Sequence, residues 1–317
     1  MIRSALLWAS TEPWMAERLP RYGFVRRAVR RFMPGERPED ALVEAERFQA
    51  GGASTLLTLL GENADSAADA GAVVDHYLGV LGEVRRRGLD AEVSVKLTQL
   101  GVDVDDGLAL ESVRTLVKAS AGTGVAGTAA ASPLTLWIDM ESSAYVDRTL
   151  DIYRTVRREH ANVGVALQAY LRRTEADLDS LLPLEPSIRL VKGAYLEPPD
   201  VAHTDKATVD SAYRRLGERL LKASKAGRMG RSALATHDGD IVRDLAGLAR
   251  ELALPRAAFE FEMLYGIGVS QQRQLLSQGH PLRVLISYGE AWFPWYMRRL
   301  AERPANLWFV VKQMVKG

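Results

Sequence analysis

Cysteine is absent from the 317 residues, which excludes disulfides, thiolate metal sites and a cysteine nucleophile. No apolar run reaches the roughly eighteen residues that spanning a bilayer takes. The start also lacks an apolar core followed by a cleavage site, so a cytoplasmic chain is expected. Charge of one sign is missing too. Forty-one basic side chains stand against forty acidic ones, a net charge of +1, and nothing global points to a nucleic-acid partner. Histidine is scarce: His76, His160, His203, His237 and His280 lie in scattered contexts with no pair at metal-ligand spacing, so no metal site is expected. No Gly-x-Gly-x-x-Gly follows an early strand pattern, which removes the usual dinucleotide fingerprint of a doubly wound sheet.

What is present is an alternation. Hydrophobic residues make up 47% of the chain, enough to bury one large α/β core. Short apolar runs with the length of buried strands recur at 54–60, 91–97, 134–140, 163–170, 188–191, 233–235, 258–263 and 283–287. Helix-patterned segments lie before the first run, at 41–50, and between later ones, clearest at 73–87, 108–120, 143–160, 208–225 and 239–252. Eight strand–helix units over roughly 260 residues predict a (β/α)₈ barrel. Residues 1–35 are expected to form a helical arm ending at Pro34-Gly35, with the barrel over 36–317. Arg26, Arg27, Arg30 and Arg31 are spaced as a solvated helix face, the favoured reading, with contact at an anionic membrane surface as the alternative. The Gly/Ala/Ser/Thr-rich stretch 121–132 is expected to be a surface loop within the barrel.

In such a barrel chemistry sits at the C-terminal strand ends, and polar residues crowd there. They include Glu62, Lys96, Gln99, Asp139, Glu141, Gln168, Tyr170, Arg189, Lys192, Tyr195, Thr236, His237, Asp238, Glu260, Glu262 and Tyr288. Any one could be a structural residue in a buried charge pair; together they describe a polar mouth. Lys96, between Val95 and Leu97, needs a partner, and Asp139 behind Leu136-Trp137-Ile138 is a natural one. A Schiff-base lysine is the competing reading.

Near the C-terminus, Trp292-Phe293-Pro294-Trp295-Tyr296-Met297 leads into Arg298-Arg299, with Glu302 one turn on. Adjacent arginines on a helix point about 100° apart, so both reach one target only if it is small and anionic. A carboxylate suits them. Glu302 can hold the Arg299 guanidinium in place.

Val95-Lys96-Leu97-Thr98, Trp137-Ile138-Asp139-Met140-Glu141, Leu167-Gln168-Ala169-Tyr170, Arg189-Leu190-Val191-Lys192-Gly193-Ala194-Tyr195, Ala235-Thr236-His237 and Arg298-Arg299-x-x-Glu302 together resemble the flavoenzyme proline dehydrogenase of the single-function bacterial type. The order and spacing hold from about residue 35 to the C-terminus. The resemblance implies a distorted barrel with N-terminal helices that holds FAD, oxidises L-proline to Δ¹-pyrroline-5-carboxylate and passes electrons to a quinone. It gives Arg298, Arg299 and Lys96 the substrate carboxylate, Asp139 the positioning of Lys96 and an arginine, and Arg189 a place near flavin N5. Leu264, Leu285, Tyr288 and Trp295 fall around the substrate ring. Met140, Gln168, Lys192, Gly193, Ala194, Tyr195, Thr236, His237 and Glu302 fall along the cofactor.

Two residues depart from the family pattern: Leu285 and Trp295 stand where tyrosines are usual. Both positions wall the ring, so a hydroxylated or ring-modified proline is the variant reading for a small cyclic imino acid substrate. The same two residues are the hint for a barrel that binds without catalysing. Peripheral contact at the inner face of the membrane, to meet a quinone, and a separate pyrroline-5-carboxylate dehydrogenase as partner are further expectations.

Overall fold

A computed structural model describes residues 29–122, 133–293 and 295–297. After α1 (Pro38–Ala50) come β1 (Ser54–Leu59), α2 (Ala67–Arg87), β2 (Ala91–Val95), α3 (Asp106–Ala121), β3 (Leu136–Ile138), α4 (Val146–Glu159) and β4 (Val163–Gln168). The chain continues through α5 (Thr174–Leu181), β5 (Ser187–Val191), α6 (Lys206–Lys225), β6 (Arg231–Ala235), α7 (Gly239–Glu251), β7 (Phe259–Leu264), α8 (Val269–Ser277) and β8 (Leu282–Tyr288). The strands follow one another in sequence order around a closed barrel. All are parallel, and β8 closes on β1 with Leu56 opposite Leu285.

Strand periodicity divides the core in two. Alternate side chains leave opposite faces of a strand, and in a closed barrel one face is the lumen. Leu57, Val93, Val95, Leu136, Ile138, Val163, Val165, Ile188, Leu190, Phe261 and Val284 belong to the large apolar cluster between sheet and helices. The lumen cluster is small: Leu56, Trp137 and Ala233, with Leu285 packed on them. Gly164 makes room for the indole, since a Cβ there would stand 2.5 Å from the Trp137 ring. Most of the lumen is polar, and the barrel therefore depends on the outer cluster for apolar burial.

The helices begin where short polar side chains cap them. Ser66 accepts from the Asp69 N–H, Asp105 from the Leu108 N–H at 2.9 Å and Asp205 from the Thr208 N–H at 2.8 Å. Most starts lie a few residues before the apolar periodicity, because the first turn faces solvent. The short α5 and the glutamine-rich α8 lack a long apolar stripe, which is why the pattern alone leaves them out. Residues 1–28 of the expected arm and 123–132 of the expected loop lie outside the described residues. Val29, Phe32 and Met33 are buried. Phe32 meets Tyr296 with ring centroids 5.9 Å apart, and Trp292 donates to Glu36 at 2.9 Å, tying the segment before α1 to the chain beyond β8. Among the described residues, no helix is long and apolar enough to cross a membrane.

Candidate active site

Two polar layers fill the lumen. In the lower one Arg231 donates to Glu92 and to Glu260, each at 2.5 Å. Glu92 also accepts from the Trp137 indole at 2.7 Å and from the Thr135 N–H at 3.1 Å. Arg283 reaches Glu260 at 3.2 Å, the Thr55 carbonyl at 2.7 Å and Asp90 at 3.3 Å. Burial works against charge on Glu92, but Arg231, Arg283 and the indole donor outweigh it and bring the carboxyl down to about 2.

The upper layer lies at the strand ends. Arg189 of β5, 3% exposed, crosses the lumen to Asp139 just beyond β3. Ser94 of β2 donates to Asp139 at 2.7 Å and accepts from Arg189 at 3.0 Å. Lys96 Nζ stands 3.5 Å from the second Asp139 oxygen. The partnership expected from the sequence is therefore present, with Lys96 one residue past the end of its strand. Burial opposes ionisation of Asp139, but Arg189 and Lys96 with the two hydrogen bonds overcome it and hold the carboxyl below the ordinary carboxylate range.

Around this centre sit the other expected residues. Gln168 ends β4 and donates to the Met140 and Glu141 carbonyls, both at 3.2 Å. Lys192, just after β5, pairs with Asp210 of α6 and with Asp238, the α7 cap, at 3.1 Å. Thr236 accepts from the Asp238 N–H at 3.1 Å. His237 Nε2 accepts from the Leu264 N–H at 3.2 Å, which puts the proton of a neutral imidazole on Nδ1. Gly193 has φ +115, and a Cβ there would overlap the Tyr170 ring. The close approach its lack of side chain permits in this structure is to that ring. Ala194 and Tyr195 follow at intermediate exposure.

Other expected residues are not gathered at the lumen. Tyr288 is fully buried in the outer cluster and its hydroxyl meets His76 Nε2 of α2 at 2.9 Å. Met140 also packs its side chain in the outer cluster and offers its carbonyl to Gln168. Both are one step out of phase with an inward neighbour, Ser287 and Asp139 respectively. Leu285 does face inward, against Leu56 and Trp137. Leu264 and Trp295 are half-buried, and Arg298, Arg299 and Glu302 lie outside the described residues.

The sequence reading assigned no role to Ser94, which bridges Asp139 and Arg189, nor to the Asp210–Asp238 pair under Lys192. Ser94 lies two residues before Lys96 on β2 and so shares its face, a signal in the alternation alone. Among the buried side-chain atoms of this rim, Gln168 Oε1, Arg189 Nη1, Gln99 Oε1 and Glu262 Oε1 have no protein hydrogen-bond partner. Native interiors satisfy such atoms. Gln168 Oε1 and Arg189 Nη1, an acceptor and a donor on neighbouring strands, fit a polar group bound at the strand ends.

A family model described as Proline dehydrogenase matches residues 41–312. Proline dehydrogenase 1 of Bacillus subtilis (strain 168) is 35% identical over 316 residues, covering 100% of each chain. The proline dehydrogenase of Deinococcus radiodurans is 37% identical over 323 residues, 100% of this chain and 99% of that one. A crystal structure of proline utilization A from Bdellovibrio bacteriovorus, inactivated by N-propargylglycine, superposes with a TM-score of 0.79 at 21% identity. That match covers 95% of this chain and 36% of the longer one, and it is a likeness of fold.

Proposed function

The chain belongs to the proline dehydrogenase family, and from that we propose that it oxidises L-proline to Δ¹-pyrroline-5-carboxylate with FAD as its cofactor. The observation that carries this reading is the buried Lys96–Asp139–Arg189 cluster at the strand ends, beside the partnerless atoms of Gln168 and Arg189. Two cations share one carboxylate there, so the cluster has positive charge to spare.

Gln168, Arg189, Lys192, Gly193, Ala194, Tyr195, Thr236 and His237 would hold the flavin, with Met140 offering backbone and Glu302 entering through the resemblance. A bound flavin supplies the two-electron acceptor for the hydride that leaves proline C5. Lys96 attracts the substrate carboxylate, and Arg298 and Arg299 complete its clamp in this reading, fixing which ring carbon faces the acceptor. Asp139 keeps Lys96 and Arg189 in place. Arg189 provides a fixed cation where negative charge develops, with no reorganisation needed during reaction. The ring nitrogen must be unprotonated to push electrons toward C5, so turnover rises with pH.

The lyase alternative needs a free amine at Lys96, whereas its ammonium is paired with Asp139. Leu285, packed on Trp137 in the lumen, offers no hydroxyl to the substrate ring, which supports a second reading in which a hydroxylated or homologous ring is preferred. The same family reading sends the electrons onward to a quinone and the product to a pyrroline-5-carboxylate dehydrogenase, with contact at the membrane surface as the alternative to a solvated N-terminal arm. The test is an anaerobic visible spectrum of the purified protein before and after L-proline, 4-hydroxyproline or pipecolate. Bleaching of the flavin bands by proline is expected. Bleaching by an analogue alone would make Leu285 and Trp295 the determinants of specificity. A colourless protein that takes up no added FAD would overturn the proposal in favour of a non-catalytic barrel.

A further inference from the structure

Glu262 is a buried carboxyl to which the chemistry above gives no role. It is an inward residue of β7, 2% exposed. In register it stands beside Ala235 of β6 and Arg283 of β8. The small side chains of β6, Ala233 and Ala235, leave the lumen open between β5 and β7, and Glu262 Oε2 comes within 3.9 Å of Arg189 Nε. That distance is too long for a hydrogen bond. Its other oxygen, Oε1, has no partner.

The neighbouring charges are already matched. Arg189 gives its close contact to Asp139. Below, Arg231 and Arg283 serve three carboxyls, Glu92, Glu260 and Asp90. A further carboxylate in that space would be desolvated without a committed cation. The charged and titratable groups that act on Glu262 are Arg189 from β5, Glu260 on its own strand, Arg283 from β8 and Arg231 from β6, with the Tyr213 phenol of α6 feeling it through the sheet.

We propose that Glu262 is a positioning residue, a neutral carboxyl beside Arg189 that helps fill the lumen wall while leaving the guanidinium's positive charge available to the reacting centre. This rests on the flavin reading above. The charge count shows what is at stake. Lys96, Arg189 and ionised Asp139 sum to one surplus positive charge; ionised Glu262 would cancel it. Burial acts in the same direction, pushing the Glu262 carboxyl far above its ordinary range against the pull of Arg189. Raising the pH far enough to ionise Glu262 therefore removes the cationic help without breaking any contact to Asp139.

The variant that separates this from a packing role is Glu262→Gln, which keeps shape and stays neutral at every pH. In the FAD-loaded protein the flavin reduction potential of wild type and variant should agree at about pH 6. By about pH 10 the wild type should be harder to reduce by roughly three- to tenfold in equilibrium constant, as expected for one partly buried charge gained nearby. A pH difference infrared spectrum supplies a readout independent of flavin. The wild type should show a proton-bearing carboxyl band that persists above about pH 7, vanishes in Glu262→Gln and survives in Glu141→Gln, which removes the other buried carboxyl raised by burial among the described residues. Survival in Glu141→Gln keeps the assignment testable if Glu262→Gln does not fold. Absence of the band, or potentials that track each other at every pH, would overturn the proposal. A protein that binds no FAD yet keeps the band would overturn the function proposed above, and with it the purpose assigned to Glu262 but not its protonation.

Discussion

Glu92 and Glu262 are carboxyls of one barrel lumen, both buried, and their environments drive them in opposite directions. Glu92 receives two nitrogen donors on one oxygen and an indole donor on the other and falls to about 2. Glu262 sits one layer higher, 3.9 Å from a guanidinium committed elsewhere, and rises to about 8. Burial penalises both. Donor saturation decides which of them keeps its charge. The lower layer is closed, with the hydrogen bonds of Glu92, Glu260, Arg231 and Arg283 met inside the protein, and it reads as the pin that fixes the barrel. The upper layer retains open valences on Arg189, Gln168 and Glu262, and it reads as the place where something binds.

The contrast can be broken by exchanging the consequences of mutation between layers. Arg283→Met should have the largest effect, a loss of about 3–5 kcal/mol because Glu260 and Asp90 would lose a buried partner. Urea unfolding would measure it, and KM for proline in the folded fraction should not change. A raised KM at unaltered stability would show that the layers are not separate. Arg189→Met should do the reverse, lowering kcat by about 10²–10³-fold, the range for removing one preorganised charge-stabilising donor, with flavin content as the control.

Leu285→Tyr restores a hydroxyl at the boundary between the layers. It should shift the kcat/KM ratio of proline to its ring analogues by about tenfold, the scale of one pocket contact. An unmoved ratio would remove Leu285 from specificity. The layers also differ in how pH acts on stability. Asp139 is held low, so its contribution is present above the ordinary carboxylate value and lost as pH falls through its folded value. Glu262 is held high, so its contribution is present below about 4.5 and declines as pH rises toward about 8. Glu262→Gln should therefore gain stability on the wild type progressively between about pH 5 and 8, read from urea midpoints. A constant difference across that range would mean that Glu262 does not titrate there.

Much of the candidate site is legible in the sequence because its residues lie at strand ends and within short motifs. Lys96, Asp139, Gln168, Arg189, Lys192, Thr236 and His237 all stand at the C-terminal rim of the barrel. The strand-end pattern counts Tyr288 in the polar mouth and the resemblance sets Met140 along the cofactor, while the period of a strand turns both side chains to the outer cluster. Leu285 and Tyr288 are three residues apart on one strand and so leave opposite faces. Applying that rule to β8 assigns Leu285 to the lumen and Tyr288 to His76. Glu36, which holds Trp292, carried no signal because its partner is distant in sequence.

The sequence by itself determined the alternation of strand and helix, the barrel class and which polar residues crowd the strand ends. These follow from local periodicity and from spacing along the chain. Apart from the Lys96–Asp139 pair, only the closed structure decided which charges meet. Asp139 takes Arg189 from two strands away, Arg231 reaches across to Glu92, and Glu262 is left beside a guanidinium already engaged. Those pairings depend on strand register and barrel closure, which bring together residues 50 to 140 positions apart. The protonation of each carboxyl follows from its company in the lumen, and residue type and burial do not fix it.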